Sequence, residues 1–351
     1  MPAVAESFSL GAPVEIGRIE KELKKLWAEG EGSMTRASLI NLAVYSDQLD
    51  SLGRNTQLMS QLTENHACRA IVIEADSTAT GNIAEAWISA HCHISRAGSR
   101  QVCSEQLSFR LGGPCTTLLP SIVFSHLDSD LPFYLWWQTE FPQTIDPYLW
   151  SWVDHLIYDS QTWRDYQGQM KLVETAKEEA DQRIVLCDLN WTRLDKIRSA
   201  VAQFFDHPGA HHHFQKIDNV RIAHAPEYRS TAVLLAGWLA SQLKWKEGKA
   251  DRSSLQFDGH ENRRITVQLQ EAAGEPIGEI SLRSGPTEFA VKHGAGADLL
   301  VVTRHDNDEQ RMDQLMPACK NDVVALLSDQ LMRGGPHAVY LRVIEQVRHL
   351  I

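Results

Sequence analysis

No stretch of the chain approaches the ~20 apolar residues that a membrane-crossing helix needs. Its apolar runs, such as Ile184-Val185-Leu186-Cys187, are strand-length. Residues Met1-Pro2-Ala3-Val4-Ala5-Glu6-Ser7 lack a basic region followed by an apolar core, so no secretory leader is expected and the chain reads as cytoplasmic. Cysteine is sparse. Cys68, Cys92, Cys103, Cys115, Cys187 and Cys319 are scattered, and no two form a C-x-x-C. That spacing offers neither a zinc ribbon nor a thioredoxin-type pair, and reduced, buried thiols are the expectation. Basic residues are the minority, 34 against 45 acidic ones, for a net charge of −11. The electrostatic footprint of a nucleic-acid or anionic-membrane binder is missing. Glycine-rich phosphate loops are missing too: neither G-x-G-x-x-G nor G-x-x-x-x-G-K-[ST] follows a strand-like run, and no G-x-S-x-G supplies a nucleophile elbow. Gly294-Ala295-Gly296 reads as a turn.

What is present is an ordinary globular composition, 43% hydrophobic and 23% charged over 351 residues. At about 150 residues per domain this suggests two domains. Residues 14–27 carry Ile16, Ile19, Leu23 and Leu26 at helical spacing. Residues 38–45, a helix over 50–65 and the run 70–73 follow as strand, crossover helix and strand, which implies a parallel pair. Two longer strands are expected over 83–94 and 102–110, joined by a turn over 96–100. A helix over 114–127, a strand over 131–138, a short helix over 147–154, a strand over 156–158 and a helix over 161–179 come next. Residues 183–186 read as extended, and a helix runs from Asp188 or Asn190, as a cap, to Phe205. Beyond a strand over 220–224 and an apolar helix over 228–245, four runs (254–257, 264–269, 277–282, 288–291) form a meander, with 298–303 as a further strand. Helices over 313–332 and 338–351 close the chain. The expected fold class is α/β with α+β character. It has two domains, 1–165 and 166–351, each a mixed β-sheet flanked by helices, the second with an antiparallel meander and terminal helices.

Few constellations suggest chemistry. His91 and His93 share one strand face and Cys92 points the other way. They could hold half a metal site, but no H-x-x-x-H or C-x-x-C supplies the remainder, and polar strand residues beside a turn is the favoured reading. His211-His212-His213, near Pro208 and Gly209, reads as a solvated loop. The acids of Glu174-Thr175-Ala176-Lys177-Glu178-Glu179-Ala180-Asp181 read as a solvated helix face. Tryptophan is the count in excess: 10, beside 7 Tyr and 10 Phe. Many of these rings lie between Trp136 and Trp191. Trp136 and Trp137 are successive strand residues, so both are buried only if the sheet is covered on both faces or one face meets a partner.

Several strings, in order, resemble the glucose-6-phosphate dehydrogenase assembly protein family, OpcA. They include Asn65-His66-Ala67-Cys68-Arg69-Ala70-Ile71-Val72-Ile73, Val102-Cys103-Ser104-Glu105-Gln106 and Leu119-Pro120-Ser121. Asp130-Leu131-Pro132-Phe133-Tyr134-Leu135-Trp136-Trp137 and Asp154-His155-Leu156-Ile157-Tyr158-Asp159-Ser160 follow. The most specific is Asp188-Leu189-Asn190-Trp191-Thr192-Arg193-Leu194, then Gln203-Phe204-Phe205-Asp206 and Gly237-Trp238-Leu239-Ala240. The likeness runs from about Arg36 to Trp245 and more weakly onward. It implies a non-catalytic cytoplasmic protein, without cofactor or metal, that binds the oligomeric glucose-6-phosphate dehydrogenase of the oxidative pentose phosphate pathway. Such a protein would support that enzyme's active state. Thiol control through C-terminal cysteines, associated with cyanobacterial members, finds only Cys319 after Cys187 here. Candidate contact residues are Trp136, Trp137, Asp188, Asn190, Trp191 and Arg193. The competing reading makes Asp188 and Asn190 helix caps and Trp191 a core anchor. Two alternatives are kept. One is a small-molecule-binding enzyme using the first α/β sheet, the other a metal-binding regulator using His91 and His93.

Overall fold

The apolar runs between Ile40 and Asp188 pair into one sheet, and those after Ile217 into another. The computed structural model describes residues 10–29, 34–94, 101–143, 147–179, 183–206, 211–251, 253–306, 309–333, 335, 337–347 and 350–351. The turn expected over 96–100, the N-terminal Met1-to-Ser7 segment, Pro208 and Gly209 lie outside them. The chain forms two compact units. Unit 1 is Met1–Tyr158, Lys171–Cys187 and Leu331–Gly334; unit 2 is Asp159–Met170, Asp188–Gln330 and Gly335–Ile351. The chain thus passes between units several times, where a single cut at 165/166 was expected.

Unit 1 is built on nine strands: β1 (Ala12–Val14), β2 (Met34–Arg36), β3 (Ile40–Ser46), β4 (Cys68–Asp76), β5 (Ile83–Ile94), β6 (Gln101–Gly112), β7 (Phe133–Trp137), β8 (His155–Tyr158) and β9 (Val185–Asp188). Their order is β1-β5-β6-β4-β3-β7-β8-β9, with β2 beside β6. The pairs β6·β4, β4·β3, β3·β7 and β7·β8 are parallel, while β5 runs antiparallel to β6 and β1 to β5. Counted from β3 and leaving out β5, the core order is 3-2-1-4-5-6, the doubly wound arrangement. Leu42, Ala43 and Val44 of β3 and Ile71, Val72 and Ile73 of β4 are buried without alternation, because helices cover both faces of such a sheet. The first helices are α1 (Ile19–Glu29), α2 (Ser51–Leu62), α3 (Leu119–Ser125), α4 (Pro147–Trp150) and α5 (Tyr166–Glu179).

Two boundaries and the cysteine state differ from expectation for identifiable reasons. The helix read from residue 14 starts at Ile19, because Ala12–Val14 adds an edge strand to β5, where Pro13 is tolerated. The helix read over 114–127 is a 3-10 turn (Gly113–Leu118) followed by α3. Pro120 cannot sit inside a continuous helix and falls in the first turn of a new one. The expectation of reduced thiols throughout is corrected: Cys92 and Cys103 are disulfide-bonded, with Cα atoms 4.1 Å apart. They face each other directly across β5 and β6, and such a pair brings Cβ atoms within bridging reach. Cys68, Cys115, Cys187 and Cys319 are free.

Unit 2 holds the strands β10 (Ile217–His224), β11 (Lys246–Ala250), β12 (Ser254–Asp258), β13 (Arg264–Glu271), β14 (Ile277–Ser284), β15 (Thr287–His293), β16 (Leu299–Asp306) and β17 (Glu309–Pro317). They run β11-β12-β13-β10-β14-β15-β16-β17. Only β10·β13 is parallel among these pairs. The helices are α6 (Leu189–Thr192), α7 (Asp195–Gln203), α8 (His211–Phe214), α9 (Arg229–Leu243), α10 (Val323–Arg333) and α11 (Ala338–Val347). Val220, Ile222, Val267, Ile280, Leu282, Phe289 and Leu300 alternate onto the buried face. Helix α9 is apolar around most of its circumference and buried from Thr231 to Gly237 and at Leu239 and Ala240. A Cβ at Gly237 would lie 2.4 Å from Val347 Cγ1, so only glycine lets α9 and α11 approach this closely.

Two further expectations are corrected. The helix over 313–332 begins only at Val323, and Glu309–Pro317 is the edge strand β17. Pro317 would break a helix through this stretch. The histidine run is not a solvated loop: it opens α8, and His213 is buried with Nδ1 3.1 Å from Ser284 Oγ and its ring edge-on to Phe289. Among the described residues no helix is long and apolar enough to cross a membrane.

Candidate functional site

In open α/β sheets, ligands bind beyond the carboxyl ends of the strands where the strand order reverses. In unit 1 that point lies between β3 and β7. The first loop there is Asp47-Gln48-Leu49-Asp50, and glycine appears only at Gly53, inside α2. The N-terminus of α2 is where a dinucleotide's phosphates would sit. The carboxylate of Glu74, late in β4, takes one backbone N–H and one hydroxyl there. Glu74 Oε2 accepts from the Leu52 N–H at 3.1 Å and the Ser51 hydroxyl at 3.3 Å. Glu74 Oε1 accepts from Arg110 Nε at 2.9 Å. Asn55 of α2 and Gln138, just after β7, exchange two amide hydrogen bonds of 3.0 and 2.8 Å. Tyr45 and Trp137 stack with centroids 3.9 Å apart. Burial, with the charge of Asp47, pushes the Tyr45 hydroxyl up to about 12. The chain's own carboxylate, amides and rings thus bond to one another at this crevice.

The most specific string of the sequence builds a second constellation, in unit 2. Asp188 ends β9 and caps α6. Its Oδ1 accepts from the N–H groups of Asn190 (2.9 Å) and Ser160 (3.0 Å). Its Oδ2 accepts from Ser160 Oγ (2.6 Å) and Tyr340 Oη (2.8 Å). Burial, then the nearby Asp159 charge, pushes the Asp188 carboxyl up to about 6, against the pull of the Ser160 hydrogen bonds. Asn190 Nδ2 donates to Ser160 Oγ and Ser230 Oγ, each at 3.2 Å, and its Oδ1 accepts from Thr231 at 2.5 Å. Thr192 Oγ1 lies 3.1 Å from Gln330 Oε1, and Gln330 Nε2 lies 2.9 Å from His337 Nε2.

Arg193 forks onto both oxygens of Asp159 at 2.7 and 2.6 Å and donates to Asn321 Oδ1 at 2.8 Å. Burial opposes its charge, but the Asp159 pairing outweighs it and holds the guanidinium above its ordinary range. Trp191 lies 5.5 Å from Tyr340, with the Arg198 guanidinium 3.4 Å over its ring. Ser160 is wholly buried, so no substrate reaches its hydroxyl. The cluster holds segments of chain together, and its polar groups are spent on one another.

All six candidate contact residues lie inside. Exposure is 5% for Trp136, 2% for Trp137, 2% for Asp188, 0% for Asn190, 3% for Trp191 and 8% for Arg193. The last four come together around Asp188; the two tryptophans sit on β7, both buried, so that sheet is covered on both faces. Asp188 is a helix cap, Asn190 a buried bridge and Trp191 a packed ring. His91 Nε2 lies 2.9 Å from Gln106 Oε1, and His93 Nε2 3.3 Å from Thr63 Oγ1. Among the described residues no group of three or more His, Cys, Asp or Glu is placed to hold a metal. Sequence reasoning missed Glu74, whose signal is its position at the carboxyl end of the second core strand. It also missed an exposed aromatic cluster. Tyr148 is 55% and Trp152 49% exposed, and both rings meet Phe124, at 4.9 and 5.2 Å.

Comparison with known proteins bears on these two constellations. Residues 59–175 match the model described as the glucose-6-phosphate dehydrogenase subunit N-terminal domain, and residues 184–344 the corresponding C-terminal domain. The chain belongs to the OpcA family. The OxPP cycle protein OpcA of Nostoc punctiforme is 24% identical over 318 residues, covering 81% of this chain and 65% of the relative. That of Synechocystis sp. is 24% identical over 339 residues, covering 89% and 69%. This OpcA-family chain therefore spans about two thirds of the length of these relatives. Among solved structures, an aldose-aldose oxidoreductase from Caulobacter crescentus aligns with a TM-score of 0.48 at 9% identity, over 89% of this chain and 96% of that one.

Proposed function

We propose that this OpcA-family chain is a non-catalytic cytoplasmic partner of glucose-6-phosphate dehydrogenase, which binds the oligomeric enzyme and supports its active state. The observation that carries the non-catalytic reading is Glu74 on the N-terminus of α2, with the Asn55–Gln138 pair beside it. A dehydrogenase of this architecture places its cofactor's phosphates at that helix start, where Glu74 puts a carboxylate. The family match supports the choice of partner. To activate, the chain must bind the active state more tightly than the inactive one; a tenfold shift takes about 1.4 kcal/mol. The buried set Trp136, Trp137, Asp188, Asn190, Trp191 and Arg193 serves this role from within, by holding the frame. Partner contact falls to exposed side chains, of which the aromatic cluster of Tyr148, Trp152 and Phe124 has the chemistry of an interface anchor.

The test mixes the purified chain with its cognate dehydrogenase and follows light scattering on a sizing column together with initial rates. Co-elution and a lower KM or higher kcat are expected, with Trp152→Ser weakening both while leaving the chain folded. If neither elution, oligomeric state nor rate changes, the proposal fails.

A further inference from the structure

Where α9 ends, unit 2 contains a cavity of about 490 Å³, within the range of small-molecule sites. We infer that it binds a phosphate ester carrying vicinal hydroxyls, such as a sugar phosphate or a nucleotide. Ile217, Trp245 and Ile265 are buried side chains that reach the cavity and form an apolar floor. Lys244, Lys246 and Arg263 are exposed and stand on the rim with the carboxylates of Asp258 and Glu261. Among the described residues none of the three cations is held in an ion pair with those acids. In a chain of net charge −11, a site with cations in excess is a local reversal of sign, and it is concave. Cations of this kind bind phosphate, and carboxylates beside them accept hydrogen bonds from sugar hydroxyls.

The backbone marks the same place. Only three non-glycine residues among those described have positive φ, and two of them, Lys244 (56°) and Glu261 (58°), flank this cavity. Glycine would occupy either position without steric cost; long charged side chains are there instead, and such conformations concentrate at ligand sites. Both positions are fixed. The Trp245 N–H donates to the Ala240 carbonyl at 2.9 Å, and the turn bearing Glu261 is closed by Gly259 N–H to Arg263 O at 2.8 Å. A Cβ at Gly259 would lie 2.5 Å from Ile265 Cδ1, so this turn sits directly on the apolar floor. Arg263 Nη1 is turned to the Lys216 carbonyl at 3.4 Å, which places its head group at the rim in advance.

Isothermal titration of the full chain with ribose 5-phosphate, AMP and inorganic phosphate tests the site. Saturable binding of ribose 5-phosphate or AMP with Kd below about 1 mM is expected, weakened about tenfold or more by Lys246→Ala and by Arg263→Ala. Tighter binding of AMP identifies a nucleotide site, and equal binding a sugar-phosphate site. The inference is overturned if neither organic phosphate saturates up to about 10 mM. It is equally overturned if inorganic phosphate binds as tightly as both, or if the two variants bind like the parent. Both altered side chains are exposed, and an unchanged circular dichroism spectrum verifies that the variants fold.

Discussion

Asp188 accepts four hydrogen bonds in the interior of unit 2 and keeps a carboxyl pushed up to about 6 by burial and by Asp159. Because this lies above the ordinary 3.8, the folded chain takes up the proton more readily than the unfolded chain. The group's stabilising contribution is therefore complete below about pH 4 and is lost as pH rises through 6, by about 3 kcal/mol in all. Asp188→Asn keeps the shape: its Oδ1 still accepts from the two N–H groups, and its Nδ2 donates to Ser160 and Tyr340 once their hydroxyls rotate. Urea denaturation at pH 4 to 8 is expected to show the variant gaining on the parent as pH rises; a pH-independent difference would refute this. Arg193→Glu places a carboxylate against Asp159 in a buried site. A loss of about 3 to 5 kcal/mol of stability is expected. Unchanged stability with lost dehydrogenase binding would instead make Arg193 a contact residue.

At the scale of elements, hairpin β5–β6 is closed by Cys92–Cys103. Thiol titration of the chain unfolded without reductant is expected to find the four free cysteines Cys68, Cys115, Cys187 and Cys319, and all six only after reduction. Finding six without reductant would remove the bridge. The strand–helix–strand order β3-α2-β4 was legible because buried runs and a 3.6-residue period alternate there. The disulfide was not, since eleven residues of separation say nothing about facing positions until β5 and β6 pair in register. Strand β17 was read as part of a helix because Leu315 and Met316 fit either period; pairing with β16 and the proline at 317 decide it.

For the whole molecule, the doubly wound sheet is present without a glycine-rich loop after β3, and Glu74 holds the Leu52 N–H at the start of α2. NADP+ at about 1 mM is expected to leave the chain's unfolding temperature unchanged, since a ligand stabilises only through its affinity for the folded state. A saturable rise would reopen the enzymatic reading. The resemblance of strings kept in order sufficed for the family, and periodicity and chain order for the mixed α/β class and most elements, because these depend on near neighbours. Which side chains face inward did not follow from them. Asp188 meets Ser160 28 residues away and Tyr340 152 residues away, and Trp136 and Trp137, on opposite faces of β7, are both buried. Local sequence determines what a segment can become. Burial and hydrogen-bond partnership are set by segments distant in the chain, and only the tertiary structure decided that the conspicuous string at Asp188 is buried while Tyr148 and Trp152 are exposed.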